Sequence, residues 1–120
     1  MRVSSSHVNQ TNPYLRGVYA PVVRESSDAD LTVIGELPAD LDGVFVRNGP
    51  NPKHEPIGRY HWFDGDGMLH AVRFEGGRAR YRCRWVKTAQ LAIEEQAGES
   101  LWRGLMEPTV ASTHTPAVDA

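Results

Sequence analysis

The 120-residue sequence has a single cysteine, Cys83, and little surplus charge of either sign. One cysteine excludes an intrachain disulfide, so nothing in the chain indicates a small secreted domain held together by disulfides. The formal net charge is -2. This balance argues against a general nucleic-acid-binding protein, because such proteins need excess positive charge against phosphate. We therefore expect no nucleic-acid partner.

Long apolar runs are also missing. No stretch approaches the roughly 18 apolar residues that indicate a membrane span, and the N-terminal "MRVSSSHVNQTNPYLRG" has no apolar core of signal-peptide length. Hydrophobic residues make up 40% of the chain and charged residues 23%, which is typical of one soluble globular domain. We expect a cytoplasmic protein without a transmembrane segment. A peripheral contact with a membrane is left open.

Short β-rich segments and turns make up most of the chain. Strands are predicted for "LTVIGEL" (31–37), "VFVRN" (44–48), "RYHWF" (59–63), "MLHAVRFE" (68–75) and "RARYRCRWVK" (78–87). Gly76-Gly77 predicts a two-residue hairpin turn between the last two. Segments 25–30 and 49–58 are interpreted as loops, and "NPYLRGVYAPV" (12–22) as extended chain. Residues 88–98 predict a short helix ending at Gly98. Without longer helices, the fold class is all-β with antiparallel strands.

Four arginines alternate with other residues in the last predicted strand. Period-two spacing places Arg78, Arg80, Arg82 and Arg84 on one sheet face, and Ala79, Tyr81, Cys83 and Trp85 on the other. We interpret the arginines as a solvated face above a buried apolar face. An anion or RNA surface is the weaker alternative, because acids elsewhere offset the charge. Cys83 is then a buried, inert thiol.

The segment "DGDGMLHAVRFE" places Asp64, Asp66 and Glu75 at positions 1, 3 and 12 of a possible calcium loop. The match fails at positions 5 and 6, where Met68 and Leu69 replace an oxygen ligand and the obligatory glycine. Turn hydrogen bonds from aspartate and a positive φ at glycine explain the motif better.

The histidines show no metal-binding spacing such as HxH or HExxH. They are His7, His54, His61, His70 and His114. His61 and His70 are predicted to lie in neighbouring strands and could face each other, but two ligands do not complete a site. We expect structural histidines held by hydrogen bonds. The residues themselves therefore assign no catalytic, cofactor-binding or metal-ligating position in this chain.

Two long motifs resemble one known family. "GELPADLDGVFVRNGPNP" followed by "YHWFDGDGMLHAVRFEGGRARYRCRWVKT" is similar to the N-terminal region of the carotenoid cleavage oxygenases. That family includes carotenoid and apocarotenoid dioxygenases, lignostilbene dioxygenases and retinoid isomerases. The resemblance also takes in "NPYLRGVYAPV" and "EEQAGESLWRGLMEP". Cys83 stands where the family usually has asparagine, and the tail from about Thr109 does not continue the pattern.

The resemblance implies a seven-bladed β-propeller with one Fe(II) held by four histidines on its axis. Iron and O2 would cleave a carbon–carbon double bond in an apolar conjugated substrate. The first iron histidine of the family lies downstream of the "GLMEP"-like segment, and His61 and His70 match scaffold positions. No iron is therefore expected to bind this chain alone, and the chain alone is expected to be inactive.

The resemblance divides the chain into three segments. Residues 1–12 are expected to be disordered, 13–108 to form the first blades of the propeller, and 109–120 to be a disordered or truncated tail. A blade needs roughly 40–45 residues, so the chain accounts for fewer than three. The leading hypothesis is the N-terminal piece of an Fe(II) dioxygenase. The alternative is a stand-alone β-sheet binding module without catalysis.

Overall fold

Residues 11–105 are described in a computed structural model of the chain. They form four strands, β1 (Ser26–Asp30), β2 (Gly43–Pro50), β3 (Gly67–Glu75) and β4 (Arg78–Trp85), and one helix, α1 (Ala89–Ala97). Short 3₁₀ turns occupy Pro13–Leu15, Gly17–Tyr19 and Trp62–Asp64. The tail predicted for 109–120 and most of the predicted N-terminal disorder lie outside the described residues. Within 11–105, no helix is long and apolar enough to cross a membrane.

The strands form one antiparallel sheet in the order β1-β4-β3-β2. The β3–β4 hairpin is confirmed, with Met68 opposite Trp85 and Glu75 opposite Arg78. Its two turn residues have positive φ, 58° at Gly76 and 76° at Gly77. Both central residues of a type I′ turn need that conformation, which explains the glycine pair.

The prediction for the first strand is wrong. β1 covers Ser26–Asp30, which we interpreted as a polar loop, whereas 31–37 contains no strand. Leu31 continues the ladder by donating its N–H to the carbonyl of Ala79 at 2.9 Å, and Gly35 then leaves extended geometry with a φ of 95°. Ile34 is 98% exposed. β-propensity depends on the packing around a strand, and the most apolar part of this segment is left in solvent at Ile34.

The segment 59–63 is likewise not a strand. Trp62–Asp64 forms a 3₁₀ turn whose ends are held by a capping box. His61 Nδ1 accepts the N–H of Phe63 at 3.0 Å, and Asp64 Oδ2 accepts the N–H of His61 at 2.9 Å. These local bonds compete with a strand ladder, as capping side chains commonly do.

The segment expected to be extended begins with two 3₁₀ turns. Asn12 caps the first turn by accepting the N–H of Tyr14 at 2.9 Å, and it donates to the carbonyl of Tyr60 at 2.7 Å. Pro13 follows at the first position of the turn, where its fixed φ fits and its missing N–H costs nothing.

Helix α1 is confirmed close to its predicted bounds. Thr88 caps it by accepting the N–H of Leu91 at 3.0 Å, and Gly98 ends it with a left-handed φ of 72°. Leu91 packs on the sheet against Met68, Cys83 and Trp85, which together form the buried core. The core therefore lies between α1 and one face of β3 and β4.

Candidate functional site

A cleft of about 230 Å³ lies at the end of the sheet where β3 begins. Loop residues 52–66, helix α1 and residues 100–104 line it. The side chains with titratable or aromatic groups in its wall are those of His54, Tyr60, Asp64, Asp66, Glu94, Trp102 and Arg103. The cleft thus contains both aspartates of the DGDG motif.

Asp64 joins two distant segments through its carboxylate. Oδ2 accepts the N–H of His61 at 2.9 Å, and Oδ1 accepts the N–H of Leu105 at 2.7 Å. A carboxylate that accepts two backbone N–H groups makes the stronger, charge-assisted kind of hydrogen bond. Asp64 therefore fixes where residues 101–105 run past the 3₁₀ turn.

Asp66 performs a similar task for the loop after β2. Its Oδ2 accepts the N–H of Lys53 at 2.9 Å, and its backbone carbonyl accepts the N–H of Asn51 at 2.7 Å. Glu75 lies at the other end of β3, 3.7 Å from Arg73, so the three acids of the calcium-loop pattern do not converge. The interpretation of the aspartates as turn-forming residues is confirmed.

The glycines of this region provide space rather than a positive φ. Gly65 has a φ of -67°, which corrects our expectation. A Cβ added there would lie 2.7 Å from both the Asn51 nitrogen and the Tyr60 hydroxyl. At Gly104 an added Cβ would lie 2.0 Å from Asp64 Oδ2. Both contacts are too short, so each position needs glycine for close approach.

Two titratable groups in the cleft favour their neutral forms. Burial, followed by the charges of Asp64 and Asp66, raises the pKa of Tyr60 to about 12. Burial also raises the pKa of Glu94, whose Oε2 accepts the N–H of Leu101 at 3.1 Å. Burial disfavours the charged form of each of these two groups.

Each of the three described histidines makes a hydrogen bond, as predicted. His54 Nε2 lies 2.7 Å from Glu95 Oε1, His61 caps a turn, and His70 Nδ1 lies 2.5 Å from the Tyr81 hydroxyl. His61 and His70 do not lie in neighbouring strands, because His61 precedes a 3₁₀ turn instead. His7 and His114 lie outside the described residues.

The donors present do not fit an iron ion. Within 11–105, no three histidine, cysteine, aspartate or glutamate side chains are grouped so that they could hold a metal. The three described histidines are each engaged by a different partner, and the two cleft aspartates accept backbone N–H groups. No chemical step through a metal can therefore be assigned to these residues.

His70 and Tyr81 form a polar pair on the apolar face of the sheet. Burial, followed by the charge of Arg47, lowers the pKa of His70. Burial and a hydrogen bond with Cys83 raise the pKa of Tyr81. Both shifts favour uncharged rings, which suits a pair that lies on an apolar surface.

The two faces of β4 follow the predicted alternation. Arg78, Arg80 and Arg82 are exposed, whereas Ala79, Cys83 and Trp85 are buried. Acids offset part of the charge, since Arg78 lies 3.2 Å from Asp30. The solvated arginine face is thus confirmed for three of its four residues. Arg84 is half-buried and donates to the carbonyl of Ser26, and Tyr81 on the apolar face is only partly buried.

A sequence model of the family described as "Retinal pigment epithelial membrane protein" matches residues 19–119. The chain therefore belongs to this family, which the resemblance to carotenoid cleavage oxygenases predicted. The matched range includes most of the tail that was expected to leave the family pattern.

The similar proteins are carotenoid cleavage dioxygenases. The chain is 55% identical over 83 residues to the carotenoid 9,10(9',10')-cleavage dioxygenase of Crocus sativus, covering 68% of this chain and 15% of that protein. It is 53% identical over 79 residues to a carotenoid cleavage oxygenase of Mycobacterium tuberculosis, covering 64% of this chain and 16% of that protein. The chain thus spans about a sixth of the relatives that it matches.

Solved structures agree with the sequence comparison. A lignostilbene dioxygenase of Pseudomonas brassicacearum superposes with a TM-score of 0.74 and 29% identity, over 88% of this chain and 23% of that one. A mutant of the Synechocystis apocarotenoid oxygenase gives a TM-score of 0.65 and 33% identity, over 78% of this chain and 20% of that one. Both of these longer chains therefore contain a fold similar to the one described here.

Sequence reasoning recognised the DGDG motif but missed what it holds. The partners of Asp64 and Asp66 are backbone groups of Leu105 and Lys53, and no periodicity reveals such contacts. Asn51 and Glu94 were missed altogether. Both are buried polar residues, at 4% and 6% exposure, and they lie in segments predicted to be a loop and a helix.

Proposed function

We propose that this chain is the N-terminal part of a non-haem Fe(II) dioxygenase that cleaves a carbon–carbon double bond in carotenoids, apocarotenoids or related conjugated substrates. The observation that supports the proposal best is the 55% identity over 83 residues to a carotenoid cleavage dioxygenase. O2 would be the co-substrate, and the family propeller would be completed by residues beyond this piece. Peripheral membrane contact of the complete enzyme belongs to the same proposal.

The proposed role of these residues is to support the enzyme rather than to perform its chemistry. The carboxylates of Asp64 and Asp66 accept hydrogen bonds from backbone N–H groups. These bonds hold residues 51–53, 61–64 and 101–105 together. In the family, the first iron histidine lies downstream of the "GLMEP"-like segment, which begins here at Gly104. Asp64 would then fix the start of the chain segment that leads to the metal.

A segment exchange tests this proposal. Residues 11–105 would replace the matching segment of the Mycobacterium tuberculosis carotenoid cleavage oxygenase, to which this chain is 53% identical. We expect the chimera to keep iron and to cleave an apocarotenoid at a rate within about tenfold of the parent, since positioning errors of about 1 Å typically cost more. A folded, iron-loaded chimera without cleavage would contradict the proposal.

Asp64→Ala in the same chimera tests the scaffold role. Loss of two charge-assisted hydrogen bonds should destabilise the fold by roughly 1–3 kcal/mol and lower the iron content. Ile34→Ala is the matched control, because Ile34 is 98% exposed and lies outside the cleft. Equal iron content in the two variants would remove Asp64 from the proposed role.

The 120-residue chain by itself is predicted to bind no Fe(II) stoichiometrically. Elemental analysis after anaerobic loading and desalting measures this directly. Tight binding that disappears when His61 and His70 are both changed to alanine would overturn the prediction. The cytoplasmic location expected from the sequence stays a prediction, which fractionation of cells expressing a tagged chain would check.

A further inference from the structure

Residues 101–105 form a strap along the cleft and belong to no helix or strand. Contacts from three different parts of the fold hold this strap in place. Glu94 of α1 accepts the N–H of Leu101 at 3.1 Å, and Asp64 of the 3₁₀ turn accepts the N–H of Leu105 at 2.7 Å. Between these two points, the strap forms an isolated β-bridge with the loop after β2. Two carboxyl groups of the cleft wall therefore hold the two ends of the strap.

The carboxyl group at the helix end of the strap is buried. Glu94 is 6% exposed, and its carboxyl also has a hydrogen bond with the Ser100 side chain. Burial of a carboxyl group disfavours its charged form, and here it raises the pKa of Glu94 more than the hydrogen bond from Leu101 lowers it. If the strap moved away and left Glu94 in water, its pKa would return to the usual value for glutamate. The closed state therefore binds a proton at Glu94 more tightly than an open state would.

The other titratable and charged groups of the cleft act on Glu94 in opposite directions. The charge of Asp66 raises the pKa of Glu94, whereas the charge of His54 lowers it. Tyr60 stays uncharged below its own pKa of about 12. The groups that line the cleft together with Glu94 are His54, Tyr60, Asp64, Asp66 and Arg103. Burial is the largest influence among them, so the pKa of Glu94 is raised overall.

We propose that the Glu94 carboxyl is a proton-operated latch, which holds residues 101–105 against α1 when it is protonated and releases them when it ionises. A protonated carboxyl keeps a carbonyl oxygen that accepts the N–H of Leu101. Because the closed state binds the proton more tightly, opening becomes easier as pH rises from the usual glutamate range through the raised pKa. An irregular segment of this kind can open locally while the sheet stays folded. The latch does not depend on the proposed dioxygenase activity.

Amide hydrogen exchange of the 120-residue chain, followed by NMR between about pH 4 and pH 8, tests the latch. Protection factors remove the intrinsic effect of pH on the exchange rate. We expect the protection of the Leu101 amide to fall roughly threefold or more as pH rises, relative to the amides at the centre of β3. A fall of the same size in β3 would mean that the whole domain opens, and it would contradict a local latch.

Two neighbouring glutamates of α1 provide the variant and its matched control. Glu94→Gln should abolish the fall in Leu101 protection, because glutamine keeps an acceptor oxygen but has no proton to lose. Glu95→Gln should keep the fall, since Glu95 pairs with Lys53 at 2.9 Å on the exposed side of the helix. Loss of the pH dependence in Glu95→Gln, or its persistence in Glu94→Gln, would overturn the proposal.

A carbon-13 NMR titration of the Glu94 carboxyl gives a second test that needs no variant. We expect the pKa of Glu94 in the folded chain to lie above the usual glutamate value, because burial disfavours its charged form. An ordinary or lowered pKa at Glu94, or a Leu101 protection factor that does not change with pH, would also overturn the proposal.

Discussion

Strands β1 and β2 lie at opposite edges of the same sheet, and their surroundings secure them very differently. Asn51 holds the segment leading into β1 by two hydrogen bonds to Val22, at 2.8 and 2.9 Å. Cys83 and Arg84 bind the backbone of Ser26, and Glu25 accepts the N–H of Trp85 at 3.0 Å. No comparable side-chain contact secures the exposed edge of β2 among the described residues.

The difference shows that contacts from neighbouring segments, rather than the composition of the strand itself, can determine where an edge strand forms. The sequence of β1, "SSDAD", has almost no β-propensity. It forms a strand because side chains of β4 bind the backbone of Ser26 and because Asn51 holds Val22 in the segment before it. β2 reads "GVFVRNGP" and forms a strand through its own apolar residues. Substitutions that unfold the chain should therefore concentrate on the β1 side.

Trp85→Asp should have the largest effect. Trp85 is 8% exposed and donates its indole N–H to the Asn51 carbonyl at 2.9 Å. Lys53 Nζ lies over its ring, 5.0 Å from the ring centroid. Burying an unpaired carboxylate there should cost several kcal/mol. Arg82→Asp, on the exposed face of the same strand, should stay within about 0.5 kcal/mol. Chemical denaturation measures both, and equal losses would mean that the two faces are assigned wrongly.

Cys83→Asn should strengthen the β1 edge by about 1 kcal/mol. The Cys83 sulfur accepts the N–H of Ser26 at 3.3 Å and lies 3.8 Å from the Arg24 carbonyl. Sulfur is weak in both roles, whereas an amide supplies a strong acceptor and a strong donor, as Asn51 does for Val22. Cys83→Ala is the control and should destabilise. A larger loss with asparagine than with alanine would show that the site has no room for the amide.

Phe45→Thr should change the stability of the monomer by no more than about 0.5 kcal/mol. Phe45 is 61% exposed, and threonine favours strands because it is β-branched. Thermal melting at low concentration measures the effect. A loss comparable to that of Trp85→Asp would contradict the contrast between the two edges.

The pH dependence of stability should differ in sign between two neighbouring glutamates of α1. The pKa of Glu94 is raised by burial, so its contribution to stability is present at low pH and is lost as pH rises through the raised pKa. The pKa of Glu95 is lowered, chiefly by Lys53, so its contribution appears above the unfolded pKa and is lost in acid. Glu94→Gln should therefore gain stability relative to the parent as pH rises, and Glu95→Gln should lose it. Denaturation between about pH 3 and pH 8 tests this, and parallel curves for the two variants would contradict it.

The parts of the fold that were predictable are those encoded by local sequence. The hairpin follows from Gly76-Gly77 between alternating segments, and α1 follows from Thr88 and Gly98 at its ends. The strand at 31–37 was wrong because pairing with β4 uses residues 26–30 instead. Long-range contacts from Asn51, Cys83 and Glu25 decide that outcome, and they leave no periodic signal.

The candidate site also has one part that the sequence predicted and one part that it did not. The DGDG motif could be recognised from its letters, and the family resemblance gave it a context. The pairing of Asp64 with residue 105, and the burial of Glu94 against Leu101, depend on a chain reversal that only the folded structure provides.

The close approach of Gly104 to the Asp64 carboxylate limits which substitutions this chain tolerates. Any side chain at Gly104 would place a Cβ 2.0 Å from the Asp64 carboxylate. The two positions lie forty residues apart, yet the side chain at position 64 restricts what position 104 can hold. A deep mutational scan read out by folding should therefore score Gly104 as intolerant as a core position, although it is only partly buried. We expect a substitution of Gly104 to be tolerated only when a shorter residue replaces Asp64.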